Sequence, residues 1–476
     1  GLDVEGSGGI TLTSVAAWNN DQFGLYVDNS SGSGPVTVNN TAGQLIAANG
    51  FAGLYINSNG SVTLVNVGST SNGGSGIFVD NTYSTAAVKP GVVVAYSLDR
   101  WVDYNGYRGI DILSNGSIRL TTTKTLYVDV NSDTGIYLNN ATGGTSAGVV
   151  LGGGTPETST SQIRITNHWG GYGLFLYSQG PVTLYNIYSA NTYYDSILIG
   201  SEGSETSRPS SVTLTNIVTE FSNASGLPTD GVHIHAAGPV TITKIHAVGH
   251  YGDGLDIFST AGLVTVKKAL TKWNGSDDTR YGIMINAVGG VILDSIISNG
   301  NDHNLYINTL GGVTLLGTYY KNEFNHSYAG DSITIYAGTG GINLNRMDLI
   351  YNSGGTILET TGKLTIKNTL IQNNQYSVSA VAGNGAEFNK VFSFSNGLFD
   401  VDHDGAFEVF NTDGIKLTLN GGAVSFTDSA FVGNTGSGIE IKFYAAPPYP
   451  LTFLRTIYFG NDSDYTGDAN LKTYHL

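Results

Sequence analysis

The sequence predicts an all-β fold, a single-stranded right-handed parallel β-helix (β-solenoid) of about 17 coils. Three observations lead to this prediction. Short runs of Val, Ile, Leu, Tyr and Phe alternate with polar residues, as in strands with one buried face. Gly accounts for 66 of the 476 residues and charged residues for only 12%, which is typical of strands joined by many turns. Finally, a glycine-led motif returns along most of the chain.

The motif consists of Gly, an aliphatic residue, a variable residue and a second aliphatic residue. Residues 53–57 read Gly-Leu-Tyr-Ile-Asn and residues 76–80 read Gly-Ile-Phe-Val-Asp. Because successive side chains of a strand point to opposite faces, the aliphatic residues face the core and the variable residue faces outward. The motif begins at Gly1, Gly24, Gly53, Gly76, Gly109, Gly135, Gly173, Gly231, Gly254, Gly282 and Gly438, with Ser196 and Asn304 as glycine-free variants in phase.

Each repeat also contains a second strand after a tight turn, and the longer repeats insert a loop at that turn. Two or three short strands without a helix favour coils that stack on one another, because a propeller blade needs four strands and a leucine-rich repeat needs its own consensus. Parallel connections are almost always right-handed. We expect the β-helix over residues 1–445 and a non-repeat cap or contact arm over 446–476, where Pro447, Pro448 and Pro450 would interrupt strand pairing.

A polar residue recurs two places after the last aliphatic residue of the second strand. Stacked amide side chains hydrogen-bond to one another along a β-stack, so these residues predict an asparagine ladder. They are Asn66, Asn186, Asn216, Asn345 and Asn368.

Charge and residue usage limit the possible partners. The formal net charge of −16 and the lack of a Lys/Arg cluster disfavour nucleic acid and anionic membrane surfaces. No run of 18 apolar residues predicts a transmembrane segment. The absence of cysteine excludes a disulfide framework and thiolate metal sites. The composition favours an extracellular or cell-surface protein.

With these repeats, the chain resembles the right-handed parallel β-helix (pectin-lyase-like) superfamily. It is most similar there to the Gly/Asn/Thr-rich β-helix repeat proteins that bacteria export. Units such as GLYINSNGSVTLVNV at residues 53–67 carry the resemblance, which covers residues 1 to about 445. It implies the fold but no single activity, because the superfamily holds lyases, hydrolases, tail spikes, adhesins and structural repeats.

The resemblance also implies what a catalytic member would carry. Hydrolases of the superfamily use Asn-x-Asp, Asp-Asp and Gly-His-Gly on neighbouring coils. This chain has one Asp-Asp pair, Asp277-Asp278, in a loop, and no Gly-His-Gly. Lyases of the superfamily use carboxylates for calcium and an Arg or Lys base, and Arg208 is the nearest match. We therefore predict no catalytic residues and no enzymatic activity.

Two groups of residues are candidate metal ligands. Asp400, Asp402 and Asp404, followed by glycine, reproduce the opening of a calcium loop, although position twelve lacks the usual Glu. This pattern predicts a calcium-stapled turn, with an acidic surface strand as the alternative. His233 and His235 point outward from one strand and, with Asp256 of the next coil, could hold zinc. The alternative is a pair of solvated histidines.

The outward position of the glycine-led motif is repeatedly aromatic. Stacked coils place these residues roughly 4.8 Å apart in a vertical row, hereafter the first-strand stripe. Neighbouring rings or loops would cover the stripe within the molecule, or it would serve as an interface for another copy or a neutral glycan. The stripe comprises Tyr26, Tyr55, Phe78, Tyr137, Phe175 and Tyr306.

The function that these features favour is an extracellular structural or adhesive β-solenoid that associates with copies of itself, laterally or head to tail, into filaments or a surface layer. Residue 1 already begins a coil, so we expect an open N-terminal edge available for stacking. The alternative is a polysaccharide lyase or hydrolase, or a glycan-binding module, of the same fold.

Overall fold

The computed structural model describes the whole chain except residues 42–43, 85, 87, 143–146, 156–161, 202–206, 223–226, 276–279, 318, 322–332, 351, 353, 400–407, 410–411, 445–449, 462 and 468–476. For residues 319–321, 398–399, 408–409 and 463–467 it describes the backbone alone. The described residues form strands and turns, and none of them lies in a helix long and apolar enough to cross a membrane. The chain divides into two compact units, Gly1–Tyr251 and Gly252–Leu476.

Each unit is a parallel β-helix, which confirms the predicted fold class. Every coil begins with a first strand that pairs in parallel and in register with the first strands of its neighbours in the unit, so that Leu25 pairs with Leu2 on one side and Leu54 on the other. The first strands of the first unit are Leu2–Glu5, Leu25–Asn29, Leu54–Ser58, Ile77–Asn81, Ile110–Ser114, Ile136–Asn140, Leu174–Ser178, Ile197–Ile199 and Val232–Ala236. Those of the second unit are Leu255–Ser259, Tyr281–Ala287, His303–Thr309, Ile333–Ala337, Thr356–Thr360, Val378–Ala382, Ile415–Leu419, Ser437–Phe443 and Ser463–Gly467.

A second and a third strand complete each coil before the one that begins at Ser463, and they pair with their counterparts on neighbouring coils. In the first unit the second strands are Ile10–Thr13, Val36–Asn39, Val62–Val65, Val92–Tyr96, Ile118–Thr122 and Val149–Gly153, and the third strands are Ala17–Trp18, Ile46–Ala47, Ser69–Thr70, Arg100–Asp103, Leu126–Asp129 and Ile163–His168. In its last coils the two strands are continuous, as Val182–Thr192, Val212–Ser222 and Val240–Val248.

The second unit repeats this arrangement. Its second strands are Val291–Asp294, Val313–Leu316, Ile342–Asn345, Val424–Thr427 and Leu451–Leu454, and its third strands are Ile297–Asn299, Tyr319–Lys321, Asp348–Ile350, Ala430–Val432 and Ile457–Phe459. The continuous strands are Val264–Lys272, Leu364–Gln372 and Ala386–Phe394, and a short antiparallel pair joins Leu398–Phe399 to Glu408–Val409.

The core of each unit lies inside its coils. The aliphatic residues of the motif point inward and stack on their equivalents above and below, and Leu54, Ile56, Ile77 and Val79 are fully buried. Removing this much apolar surface from water is the main stabilising contribution to such a fold. The alternation read from the sequence therefore assigns the inward face correctly.

The segment after residue 445 differs from the expectation of a non-repeat cap or arm. In its described part, Leu451–Leu454, Ile457–Phe459 and Ser463–Gly467 pair in parallel with the strands of the preceding coil. Pro450 has no N–H, but its carbonyl oxygen accepts a hydrogen bond from the backbone N of Val424 at 3.0 Å. A proline that only accepts does not interrupt the ladder, so the described strands after Pro450 continue the repeat.

Two asparagine ladders run along the coils. The predicted one lies at the corner between the second and third strands, where Asn216 donates to Asn186 at 2.7 Å and Asn368 donates to Asn345 at 2.9 Å. Asn66 instead bonds Ser97. The φ angle is positive at Asn66, Asn186, Asn216 and Asn368, a conformation that asparagine tolerates better than most residues.

The second ladder lies after the third strand, and sequence reasoning missed it. Both the backbone N and Nδ2 of Asn72 donate to Oδ1 of Asn105, at 3.2 and 2.9 Å. The same pair of hydrogen bonds joins Asn49 to Asn72 and Asn105 to Asn131. In the second unit it recurs in the pairs Asn274–Asn301, Asn352–Asn374, Asn374–Asn396, Asn396–Asn434 and Asn434–Asn461.

Candidate functional site

The first-strand stripe begins with three rings stacked face to face. The ring centroids of Tyr26 and Tyr55 lie 5.4 Å apart and those of Tyr55 and Phe78 lie 4.6 Å apart, with interplanar angles of 15° and 18°. Phe23 lies in the turn before the strand Leu25–Asn29 and packs against both tyrosines. All three stripe rings are half-buried. The stacked rings therefore cover part of one another's faces within the molecule.

A row of polar side chains lies next to these rings, two residues further along each strand. Asp28 accepts a hydrogen bond from the backbone N of Ser30. Hydrogen bonds from the side chain of Ser30 first, and then from its backbone, lower the pKa of the Asp28 carboxyl. Asp80 accepts hydrogen bonds from the backbone N and the hydroxyl of Thr82. These carboxylates therefore cap the turns that follow their strands.

The stripe is interrupted at Asp111, which forms an ion pair with Arg108. The Arg108 guanidinium lies 3.0 Å from an Asp111 carboxylate oxygen and 4.0 Å from the centroid of the Tyr137 ring. Asp111 is only 3% exposed, and this burial raises the pKa of its carboxyl to about 6, although Arg108 acts in the opposite direction. The ion pair fills the space of a missing ring and covers the face of the next one.

The stripe resumes beyond this ion pair as a cluster of edge-to-face and tilted rings. The Phe175 centroid lies 5.4 Å from that of Tyr137 and 4.7 Å from that of Tyr172. Burial, with a further contribution from Asp195, raises the pKa of Tyr172 to about 12. Tyr306 belongs to the second unit, where it packs on Tyr281 at 5.4 Å. The structure thus brings together the stripe residues of the first unit, and Tyr306 has aromatic neighbours of its own.

The outer face of the third strands carries a row that sequence reasoning missed, hereafter the third-strand row. It consists of Trp101, Tyr127, Arg164 and Tyr188, which occupy one register position on successive coils. The Trp101 and Tyr127 rings stack at 5.3 Å with an interplanar angle of 8°, and the Arg164 guanidinium lies over the Tyr188 ring at 4.5 Å. Unequal loop lengths conceal this register in the sequence. The one signal in the sequence was Trp101, since tryptophan is a residue type enriched at interfaces. The structure leaves all four tryptophans exposed: Trp18 by 63%, Trp101 by 50%, Trp169 by 75% and Trp273 by 47%.

A cleft of about 360 Å³ opens at the turns that follow three successive third strands of the first unit. Its apolar walls are the exposed rings of Trp169, Tyr193 and Phe221. Its polar lining includes Asn167 and Asn191, whose side chains are joined by a 3.1 Å hydrogen bond. Exposed aromatic faces beside amide groups suit a ligand that is apolar on one face and hydrogen-bonding at its rim.

The histidine pair predicted from the sequence forms part of a polar cluster. The Nε2 atoms of His233 and His235 lie 2.6 Å apart, and His233 Nδ1 lies 3.5 Å from Asp195 and 3.4 Å from Asp230. Burial first, and then the charges of His233 and Arg208, lower the pKa of His235 to about 4. The third ligand expected from the sequence, Asp256, belongs to the second unit. Within the described first unit, the carboxylates that face His233 are those of Asp195 and Asp230.

The other residues that the sequence singled out as possible metal ligands or catalytic residues fall into two groups. Asp400, Asp402 and Asp404 of the predicted calcium turn, and the Asp277-Asp278 pair, lie outside the described residues. Arg208 donates from Nε to the carbonyl oxygen of Ser201 at 3.3 Å, so its guanidinium is engaged with its own loop.

Comparison with known proteins identified no relative of this chain. No family model matches the chain, and no curated protein or solved structure is significantly similar to it. The parallel β-helix of each unit is therefore established by strand pairing alone.

Proposed function

We propose that this chain is an extracellular structural or adhesive β-solenoid, without catalysis, that associates with copies of itself. In this proposal it belongs to the pectin-lyase-like superfamily, close to the Gly/Asn/Thr-rich repeat proteins that bacteria export. In this role the asparagine ladders and the first-strand stripe stiffen the solenoid, and a different surface makes the contacts between copies.

The observation that carries the proposal is the third-strand row. Trp, Tyr and Arg are the residue types that contribute most to protein–protein binding energy. In this row they follow one another on successive coils, with Trp101 half exposed and the Arg164 guanidinium held over Tyr188. The hydroxyl of Tyr188 donates to Glu220 at 2.8 Å, which fixes its ring. Rings that are already ordered lose little conformational entropy on binding, so the row suits lateral packing of one copy against another.

The internal ladders support a structural role. Asn49, Asn72, Asn105 and Asn131 are buried and join successive coils through their side chains. These bonds run along the stacking direction and resist the separation of coils. A protein that transmits force or spaces other molecules needs such resistance.

Self-association is tested by sedimentation and electron microscopy across a wide range of protein concentration. We expect the wild-type chain to form dimers, filaments or sheets, and the double variant Trp101→Ser/Tyr188→Ser to weaken association roughly tenfold or more. Trp273→Ser is the matched control, because Trp273 is an exposed tryptophan of the second unit outside the row. A wild-type chain that remains monomeric at high concentration, or a double variant that assembles like the control, contradicts the proposal.

The cleft beside Trp169 favours a second candidate function, the binding of a neutral glycan. Aromatic rings pack against the apolar faces of sugar rings, and the amides of Asn167 and Asn191 offer donors and acceptors for hydroxyl groups. The net charge of −16 favours uncharged over acidic polysaccharides. Calorimetry with neutral oligosaccharides tests this candidate, and Trp169→Ala should abolish binding while Trp18→Ala preserves it. If no neutral glycan binds, or if Trp169→Ala binds as well as wild type, the candidate fails.

A further inference from the structure

We propose that Asp195, Asp230 and His233 form a binding site for one divalent transition metal of the zinc class. The three side chains come from two successive coils of the first unit. This site goes beyond the proposed structural role, since neither lateral packing nor glycan binding requires a metal.

The coil register builds the site. Asp195 and Asp230 hold the same position on neighbouring coils, two residues before the paired strand residues Ile197 and Val232. His233 follows on the second of these strands and points outward, where it pairs with Leu198. A parallel stack with in-register pairing repeats each position directly above its predecessor, so two carboxylates and one imidazole converge at a single point.

The distances match a coordination shell better than a hydrogen-bonded ion pair. His233 Nδ1 lies 3.5 Å from Oδ2 of Asp195 and 3.4 Å from Oδ2 of Asp230. Charge-assisted hydrogen bonds between nitrogen and carboxylate are shorter, about 2.7–2.9 Å. With metal–ligand bonds of about 2.0–2.1 Å, two ligand atoms of a tetrahedral zinc site are roughly 3.3 Å apart. The potential ligand atoms of all three residues lie within 4.8 Å of one another.

Neighbouring groups orient the ligands. Oδ1 of Asp195 accepts a 2.7 Å hydrogen bond from the backbone N of Asp230, which turns Oδ2 of the same carboxylate toward His233. The Nε2 atoms of His233 and His235 are 2.6 Å apart. When Nδ1 of His233 faces a cation, its Nε2 carries the proton and donates a hydrogen bond to Nε2 of His235. Metal-bound histidines almost always have such an acceptor, which fixes the tautomer and raises the basicity of the ligand.

Charge and ligand chemistry select the class of metal. The Asp195 and Asp230 side chains are each 10% exposed, and two carboxylates this close together in a buried setting favour a cation between them. An imidazole with two carboxylates suits zinc, cobalt or nickel, whereas calcium and magnesium favour shells made of oxygen. The His233 side chain is 19% exposed, so a fourth position is accessible to water.

The site is tested with the purified full chain after removal of metals. Zn²⁺ is titrated by calorimetry, and Co²⁺ is titrated by the visible absorption that tetrahedral cobalt produces. We expect one ion per chain. Asp195→Asn and His233→Asn should each weaken binding a hundredfold or more, and His235→Asn should weaken it about 10–100-fold through the lost orientation of His233. His246→Asn is the matched control, because His246 lies on the third-strand face of the same coil and should bind like wild type.

Three results would overturn the site. One is a wild-type chain that binds neither Zn²⁺ nor Co²⁺ at micromolar concentration. Another is unchanged binding by both Asp195→Asn and His233→Asn, with folding verified by circular dichroism. The third is displacement of Zn²⁺ by an equal concentration of Ca²⁺, which would identify a different class of site. None of these results bears on self-association, which is measured without added metal.

Discussion

A β-carbon at Gly53 would lie 2.7 Å from Nδ2 of Asn72 and 2.8 Å from the carbonyl oxygen of Gly76. That same Nδ2 donates to Oδ1 of Asn105 in the buried ladder. The glycine of the repeat is therefore required because the ladder and the next coil occupy the space of a side chain. The same contacts recur at Gly76, where a β-carbon would lie 2.7 Å from Nδ2 of Asn105 and 2.7 Å from the carbonyl oxygen of Gly109.

This relationship predicts the effect of adding one methyl group. Gly53→Ala should lower the free energy of unfolding by about 2–4 kcal/mol, because the backbone oxygen of Gly76 cannot move without breaking strand pairing. Gly8→Ala is the matched control, since a β-carbon there meets nothing within 4 Å, and its effect should stay within about 1 kcal/mol of zero. Denaturant unfolding of both variants measures the difference. Equal stability of the two variants would contradict this explanation of the repeated glycine.

The ladder position of the first unit is occupied by histidine in two coils, and this predicts sensitivity to acid. Nδ1 of the buried His168 faces the backbone oxygen of Asn131 at 3.4 Å, and burial lowers the pKa of His168 to about 4. Nδ1 of His250 accepts from the backbone N of Ser222, and burial lowers its pKa to about 3. An unfolded histidine takes up a proton below about pH 6.5, whereas these folded ones do not until far lower pH. The stability they contribute is therefore complete above pH 6.5 and is lost as the pH falls toward 4.

His168→Asn tests this prediction, since Asn is the residue that the preceding coils carry at the same position. The variant should lose less stability than wild type between pH 6.5 and 4, by on the order of 2–3 kcal/mol. The raised pKa of Asp111 acts in the opposite direction, but it is present in both proteins and cancels in their difference. If the profiles of wild type and His168→Asn coincide, His168 is not protonated on unfolding in this range.

The first-strand stripe should contribute to stability. Phe78→Ser removes a half-buried ring that stacks on Tyr55 at 4.6 Å, and we expect it to lower the free energy of unfolding by about 1–3 kcal/mol. Tyr83→Ser is the control, because Tyr83 is 47% exposed and should cost less than about 1 kcal/mol. Thermal and denaturant unfolding provide the measurement. An effect of Phe78→Ser no larger than that of the control would assign the stripe to binding instead.

Calcium binding at Asp400, Asp402 and Asp404 stays a prediction from the sequence. Calcium at a hundred times its dissociation constant should stabilise the folded chain by up to about 2.7 kcal/mol. The midpoint of thermal unfolding should rise accordingly. Asp402→Ala should abolish this shift, and Glu359→Ala, which removes an exposed carboxylate elsewhere in the second unit, should preserve it. A wild-type unfolding curve that is the same in calcium and in chelator would eliminate the site.

The sequence by itself determined what depends on neighbours within one strand. Leu54 and Ile56 are two residues apart, so the alternation of a single strand is enough to predict that they face the core and that Tyr55 faces outward. The constant position of the motif was also enough to predict that Tyr26, Tyr55 and Phe78 stack, because each holds the same place in its first strand.

Only the tertiary structure decided which residues meet when loops of unequal length separate them. Two hydrogen bonds join Asn72 to Asn105. A long loop lies between these residues in the sequence and conceals that they hold the same position in successive coils. Asp230 and His233 meet Asp195 for the same reason, since the register of two coils places residues 35 positions apart side by side. Loop length changes the spacing in the sequence without changing the register of the strands, because backbone hydrogen bonds between coils set that register. Patterns within a strand were therefore predictable, whereas the ladder after the third strand, the third-strand row and the Asp195–Asp230–His233 cluster were not.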